Sequence, residues 1–158
     1  MKILAFTDVH GNKTNIKKLI GKAKEADLLV CCGDLIDLGR DLNSVIKIFR
    51  ETKKRMIIIP GNHESYEQVY EMCEKHDFLV DIHLKKFKIK EFVFFGYGTG
   101  GFNREDEELE KVMKGLKFEE SEKVIFVTHG PPYGTKLDLL DFLGHRGSKT
   151  LTKFIKKF

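Results

Sequence analysis

The chain has 158 residues, 41% of them apolar and 33% charged, which excludes a disordered polymer and suffices for one domain burying about two-thirds of its unfolded surface. No apolar run approaches the roughly 18 residues of a bilayer span, and Asp8 and His10 interrupt the N-terminal stretch before a secretory core can form; the expectation is a cytoplasmic protein with no membrane partner. Removing Lys149, Lys153, Lys156 and Lys157 from the 28 basic residues leaves 24 against 24 acidic, so the net +4 sits in the last helical segment and a broad basic face for nucleic acid is not indicated.

Taken in order, short apolar runs alternate with segments of helical period. Ile3 to Phe6, Leu28 to Cys32, Met56 to Ile59 and Val124 to Val127 are unbroken and β-rich, as expected of strands buried on both faces. Between them, Ile16, Leu19, Ile20 and Ala23 fall at helical spacing, and so do Val45, Ile48 and Phe49. Tyr66, Val69, Tyr70 and Cys73 predict a third helix, and Leu109, Val112, Met113 and Leu116 a fourth. The stretch from Phe78 to Tyr97 reads instead as successive strands, expected to be antiparallel, which predicts a second or mixed sheet. Ser148 is an N-cap candidate for a last helix bearing Leu151, Phe154, Ile155 and Phe158. The grammar is that of a layered α/β domain. Cys31, Cys32 and Cys73 form neither a disulfide framework nor a Cys-x-x-Cys pair and are expected as buried thiols.

Each buried strand runs directly into a polar cluster. Phe6 leads to Thr7-Asp8-Val9-His10-Gly11-Asn12, Cys32 to Gly33-Asp34-Leu35-Ile36-Asp37, Ile59 to Pro60-Gly61-Asn62-His63-Glu64, and Val127 to Thr128-His129-Gly130-Pro131-Pro132. Ligands of open α/β sheets bind outside the carboxyl ends of the strands, so four such clusters are expected to converge on one rim. Any one of them alone reads as well as a capped turn or a rigid loop. Asp8 and His10, two apart on an extended segment, point the same way and can share a cation. Carboxylates, imidazoles and an amide oxygen without thiolates suit Mn²⁺, Fe or Zn²⁺ in a reactive site better than a structural zinc. A central Asp34 can bridge two cations, the second also taking Asn62 and His129. Two metals about 3.5–4 Å apart clamp an in-line displacement and make hydroxide available near neutral pH, which makes phosphate ester hydrolysis the natural reaction class.

These four blocks, Asp8-x-His10, Gly33-Asp34, Gly61-Asn62-His63-Glu64 and His129-Gly130, resemble the calcineurin-like metallophosphoesterase family, in its small prokaryotic and archaeal version. Asp37 and Gly39-Arg40 echo only part of the protein-phosphatase pattern. The resemblance implies a sandwich of two mixed β-sheets flanked by helices, a four-layer α/β/β/α fold. It also implies two divalent metal ions, Mn²⁺ first, with Fe, Ni²⁺ or Zn²⁺ as alternatives. By resemblance Asp8, His10 and Asp34 hold the first, and Asp34, Asn62 and His129 the second. His63 is implied as the general acid on the leaving oxygen, completing a catalytic set with Asp34 and Asn62. The implied substrates are phosphomonoesters, phosphodiesters or nucleotides. The family's final Gly-x-His or Gly-His-x-His motif has no counterpart here. Gly144-His145-Arg146-Gly147 lacks the second histidine, so residues 1–158 are expected to form a single domain short of its last strand and last metal motif. The alternative is a non-catalytic or weakly catalytic metal-binding interaction module of the same fold.

Other signals are assigned structural roles. Gly96-Tyr97-Gly98-Thr99-Gly100-Gly101 matches a dinucleotide fingerprint, but Glu105 to Glu108 would face the pyrophosphate; the loop is expected as a rim, with Phe102 and Asn103 in turn positions. His145 is expected in a loop, His76 and His83 on the surface, and Tyr66, Val69 and Tyr70 in the core.

Overall fold

Four parallel strands make the first sheet of the computed structural model, which describes residues 1–99 and 103–158. They are β1 (Ile3–Phe6), β2 (Leu28–Cys31), β3 (Met56–Ile58) and β4 (Leu79–Asp81), hydrogen-bonded in chain order. The registers Phe6↔Cys31, Cys31↔Ile58 and Ile58↔Asp81 align their carboxyl ends along one rim. The crossovers are helices α1 (Lys13–Ala23), α2 (Leu42–Arg50) and α3 (Tyr66–Lys75). Each starts on a side-chain cap: Asn12 accepts from Thr14 and Asn15 N–H, Asp41 from Asn43, and Ser65 from Gln68 in a capping box.

The second sheet is mixed. A hairpin of β5 (Lys86–Ile89) and β6 (Phe92–Tyr97) is antiparallel, and β7 (Lys123–Thr128) returns parallel to β6 through α4 (Glu107–Gly115). A small hairpin of β8 (Leu139–Leu140) and β9 (Gly144–His145) precedes α5 (Lys149–Lys157), whose cap is Ser148.

Period-two alternation explains the unbroken apolar strands. In β2, Leu29 and Cys31 join the core under α1 to α3, whereas Leu28 and Val30 face the other sheet. Met56 and Ile58 repeat the first direction in β3; Ile57, with Ile59 just beyond the strand, repeats the second. Ile82, Phe94 and Val127 complete the core between the sheets, while Phe95, Tyr97, Leu109, Met113, Leu151 and Phe154 pack a third core under α4 and α5. Three cores thus separate the four layers expected from the sequence.

The run from Phe78 to Tyr97 departs from the expectation of consecutive antiparallel strands. β4 instead joins the first sheet in parallel, because α3 precedes it and supplies a crossover. Leu79 packs on the helix side and Val80 on the sheet side of that layer. The chain changes sheets only after Ile82, where His83 bridges Gly96. Gly96 and Gly98 also have a structural purpose. A Cβ on Gly96 would lie 2.6 Å from Ile59 Cγ2, and one on Gly98 2.2 Å from the Pro60 carbonyl oxygen. The rest of that glycine run, Gly100 and Gly101, and Phe102 lie outside the described residues, whereas Asn103 is exposed.

His76 and His83 are not surface residues, being 5% and 6% exposed. The ring of His76 reaches Asn43 at 2.8 Å, tying α3 to α2. His83 lies between the rings of Tyr66 and Tyr97, and its Nδ1 accepts the Gly98 N–H at 2.9 Å. Of the tyrosine stripe only Val69 is fully buried; Tyr70 is exposed. Burial lowers the His83 pKa below its ordinary value, against the opposing pull of Asp81. The unfolded chain therefore takes up a proton below about pH 6.5 that folded His83 resists, so stability falls as pH drops through that value. Urea unfolding of metal-free protein should show a lower midpoint at pH 5.5 than at pH 7.5, and His83→Gln, which keeps a polar partner for Gly98, should flatten the difference. A slope unchanged in the variant would contradict this.

Candidate metal centre

The loops after β1 and β2 are joined beyond the ends of their strands. Asp8 N–H donates to the Gly33 carbonyl (3.2 Å), His10 N–H to Asp34 (3.0 Å) and Gly11 N–H to Leu35 (2.8 Å). Asp8, His10 and Asp34 all adopt left-handed backbone, with φ of 53°, 50° and 52°. This corrects the expectation that Asp8 and His10 share an extended segment: β1 ends at Phe6, and the chain must turn at once to enter α1. Left-handed backbone, which Asp and His tolerate better than most residues, still brings His10 Nε2 to 3.7 Å from Asp8 Oδ1. Thr7 Oγ1 donates to the other Asp8 oxygen at 2.6 Å.

Asp34 is the focus. Its side chain is 4% exposed, and Oδ2 lies 4.0 Å from His10 Nε2, 3.9 Å from His63 Nε2 and 3.7 Å from His129 Nε2. Oδ1 accepts the His63 N–H at 2.9 Å, which fixes the carboxylate plane. Gly33 and Gly61 interlock behind it. A Cβ on Gly61 would lie 2.0 Å from Asp34 Oδ1, and one on Gly33, itself at φ 95°, 2.5 Å from Gly61 Cα. Only glycine allows the two loops this approach.

His129 arrives from the second sheet at the end of β7. Its Nδ1 lies 2.9 Å from the Cys32 carbonyl and its Nε2 2.9 Å from Asn62 Oδ1. With Nδ1–H donated to the carbonyl, the neutral ring presents an Nε2 lone pair to an amide oxygen lone pair. A cation shared by the two removes that conflict, and a backbone carbonyl orienting the far nitrogen is how a ligating histidine is held. Among the described residues no cysteine falls in a candidate cation-holding group. Burial pushes the Cys32 thiol up to about 11, with Asp8 adding to the shift, and raises buried Cys31 well above its ordinary value. The donor set is oxygen and imidazole, which fits divalent cations such as Mn²⁺ or Zn²⁺.

All six residues singled out from the sequence, Asp8, His10, Asp34, Asn62, His63 and His129, thus converge. Two side chains join them. Asp37 Oδ1 lies 3.1 Å from His10 Nδ1 and its Oδ2 3.1 Å from Arg40, so the Gly-Asp-x-x-Asp spacing carried a signal. Among the described residues two candidate cation-holding groups result, Asp8 with His10 and Asp34, and His10 with Asp37 and His63. Glu64, 5% exposed, has a role that the sequence reading missed. Its carboxylate accepts N–H from Asp34 (2.9 Å) and Gly61 (3.0 Å) at Oε2 and from Ile36 (3.0 Å) at Oε1, clamping the loops of β2 and β3 together. His145, expected in a loop, pairs instead with Asp138 from the start of the β8 and β9 hairpin.

The chain is similar in sequence and fold to known proteins. Across its full length the chain is 31% identical to MJ1162 of Methanocaldococcus jannaschii, of which it covers 74%. It is 27% identical over 85% of its length to a probable glycerophosphodiester phosphodiesterase, GpdQ, of Arcobacter nitrofigilis, spanning about half of that protein, 53%. Among solved structures, TT1561 of Thermus thermophilus superposes on 98% of the chain with a TM-score of 0.77 at 19% identity, the match covering 76% of TT1561. The sequence pattern of calcineurin-like phosphoesterases matches residues 1–158. The chain belongs to the calcineurin-like phosphoesterase family.

Proposed function

We propose that the Asp34 cluster is the active site of a metal-dependent phosphoesterase that hydrolyses phosphodiesters or nucleotides. Asp8, His10 and Asp34 would hold one divalent cation, and Asp34, Asn62 and His129 a second. The observation that carries this reading is the single buried oxygen, Asp34 Oδ2, facing three imidazole Nε2 atoms at 3.7 to 4.0 Å. Divalent cations bound there supply charge neutralisation for the phosphoryl oxygens and a water of lowered pKa. The Asp34 carboxylate would supply the charge that retains them, and the Cys32 carbonyl holds the His129 ring in the tautomer that frees Nε2. Asn62 offers a neutral oxygen at the exposed edge of the cluster. His63, fixed through its N–H to Asp34, donates the proton to the leaving oxygen.

Hydrolysis of bis(p-nitrophenyl) phosphate by protein loaded with Mn²⁺, Ni²⁺ or Zn²⁺ tests the reading. Inactivity with all three overturns it and favours a binding module of this fold. His63→Ala should leave Mn²⁺ binding intact and lower kcat about 10²-fold or more. Loss of the cation in that variant would move His63 into the ligand set with His10 and Asp37.

A further inference from the structure

Three of the six histidines lie outside the metal cluster, and His145 differs from the other two. It keeps 37% of its side chain exposed while its Nδ1 is held 2.9 Å from Asp138 Oδ1. Asp138 is 2% exposed and also accepts N–H from Gly134 (3.1 Å), Thr135 (2.8 Å) and Gly147 (3.0 Å). Burial alone raises its pKa, but these donors and His145 outweigh it and hold the carboxyl ionised. An ionised Asp138 can only accept, so His145 donates from Nδ1 and keeps Nε2 without a partner among the described residues.

His145 belongs to a basic cluster seated on Tyr133. Its ring meets the Tyr133 ring edge to face at 5.6 Å, the Arg104 guanidinium carbon lies 5.5 Å from that ring centre and Lys149 Nζ 5.8 Å. Arg104 Nη2 donates to the His145 carbonyl at 3.2 Å, and Lys149 N–H to the Arg104 carbonyl at 2.7 Å. The basic groups are thus tied to one another by backbone contacts. Among the described residues neither Arg104 nor Lys149 is in an ion pair, whereas Lys85, Lys88 and Lys153 each pair with a carboxylate. The platform adjoins the metal loop. Pro132 bridges Ser148, and Tyr133 N–H donates to the Ser148 carbonyl at 2.9 Å. Tyr133 is four residues past His129, no more than about 14 Å of extended chain.

We propose that Arg104 and Lys149, seated on Tyr133 beside the His145 ring, form a second anion subsite near the metal cluster, taking a phosphate that the substrate carries apart from the ester being cleaved. A guanidinium and an ammonium, neither in an ion pair among the described residues and both held against the Tyr133 ring beside His145, supply the charge and N–H donors that a phosphate requires. The site would select phosphodiesters bearing a second phosphate over neutral aryl or alkyl esters. This rests on the phosphoesterase reading above, but its binding test does not.

In chelator-treated protein, inorganic phosphate should saturably shift the His145 ring resonances, and Arg104→Gln or Lys149→Gln should weaken that binding about tenfold. Both residues are surface-accessible, and an unchanged amide spectrum checks the fold. Phosphate that shifts only His10, His63 and His129, or binds both variants as tightly as wild type, overturns the subsite. With active enzyme, the ratio of kcat/KM for a diester carrying a second phosphate to that for bis(p-nitrophenyl) phosphate should fall about tenfold in Arg104→Gln. An unchanged ratio overturns the assignment to substrate. Phosphate binding at His145 without any hydrolysis would leave the subsite standing and remove the phosphoesterase reading instead.

Discussion

Asp34→Asn is expected to lower kcat/KM by roughly 10³-fold or more and to abolish tight Mn²⁺ binding, while the metal-free protein stays folded. The substitution is nearly isosteric, and asparagine tolerates the left-handed backbone at φ 52° at least as well as aspartate. It also keeps an oxygen to accept the His63 N–H. What it removes is the charge at Oδ2, where the Nε2 atoms of His10, His63 and His129 converge. An isolated loss of charge therefore separates electrostatics from folding, which Asp34→Ala would not do. Inductively coupled plasma analysis of both proteins beside their kinetics checks it. Activity within about tenfold of wild type would show that Asp34 is not the centre of the site.

Glu64→Ala is expected to have the largest effect on stability of any single change at the site. The carboxylate accepts three backbone N–H groups in a buried position. Alanine leaves those donors without partners, each costing about 1–3 kcal/mol unless water enters. The three together cost about 3 kcal/mol even at the low end of that range, a large share of the roughly 5–15 kcal/mol that holds a domain together. Urea unfolding should show it, and the loops carrying Asp34 and Asn62 should lose alignment together. Glu64→Gln keeps one acceptor but turns an amide N–H₂ toward a donor, so an intermediate loss is expected. A cost under about 1 kcal/mol for Glu64→Ala would mean that the clamp is replaceable by water.

Much of this was legible in the residues because the four polar blocks each follow a strand, buried throughout in β2 and β3 but only partly in β1 and β7, and parallel pairing places the ends of β1 to β3 together. Asp8, His10, Asp34, Asn62 and His63 needed only that topology to converge, whereas His129 reaches them from β7 of the second sheet through the packing of the two sheets. Other features depend on tertiary context. Left-handed backbone at Asp8, His10 and Asp34 leaves no trace in a pattern of residue types, since none of the three is glycine. Glu64 works through backbone donors on two loops, contacts that no spacing rule encodes. His76 and His83 read as polar surface residues because a histidine carries no signal for burial; each is buried with a partner for its ring, Asn43 and the Gly98 N–H. The placement of β4 in the first sheet turned on α3 lying ahead of it rather than on its own short apolar run.

Paramagnetic broadening by Mn²⁺ tests the cation site most directly. Substoichiometric Mn²⁺ added to chelator-treated protein should broaden the ring resonances of His10, His63 and His129 first and most, with those of His76, His83 and His145 broadening only at higher Mn²⁺. Equal broadening of all six histidines, or none at stoichiometric Mn²⁺, would contradict a metal centre built around Asp34.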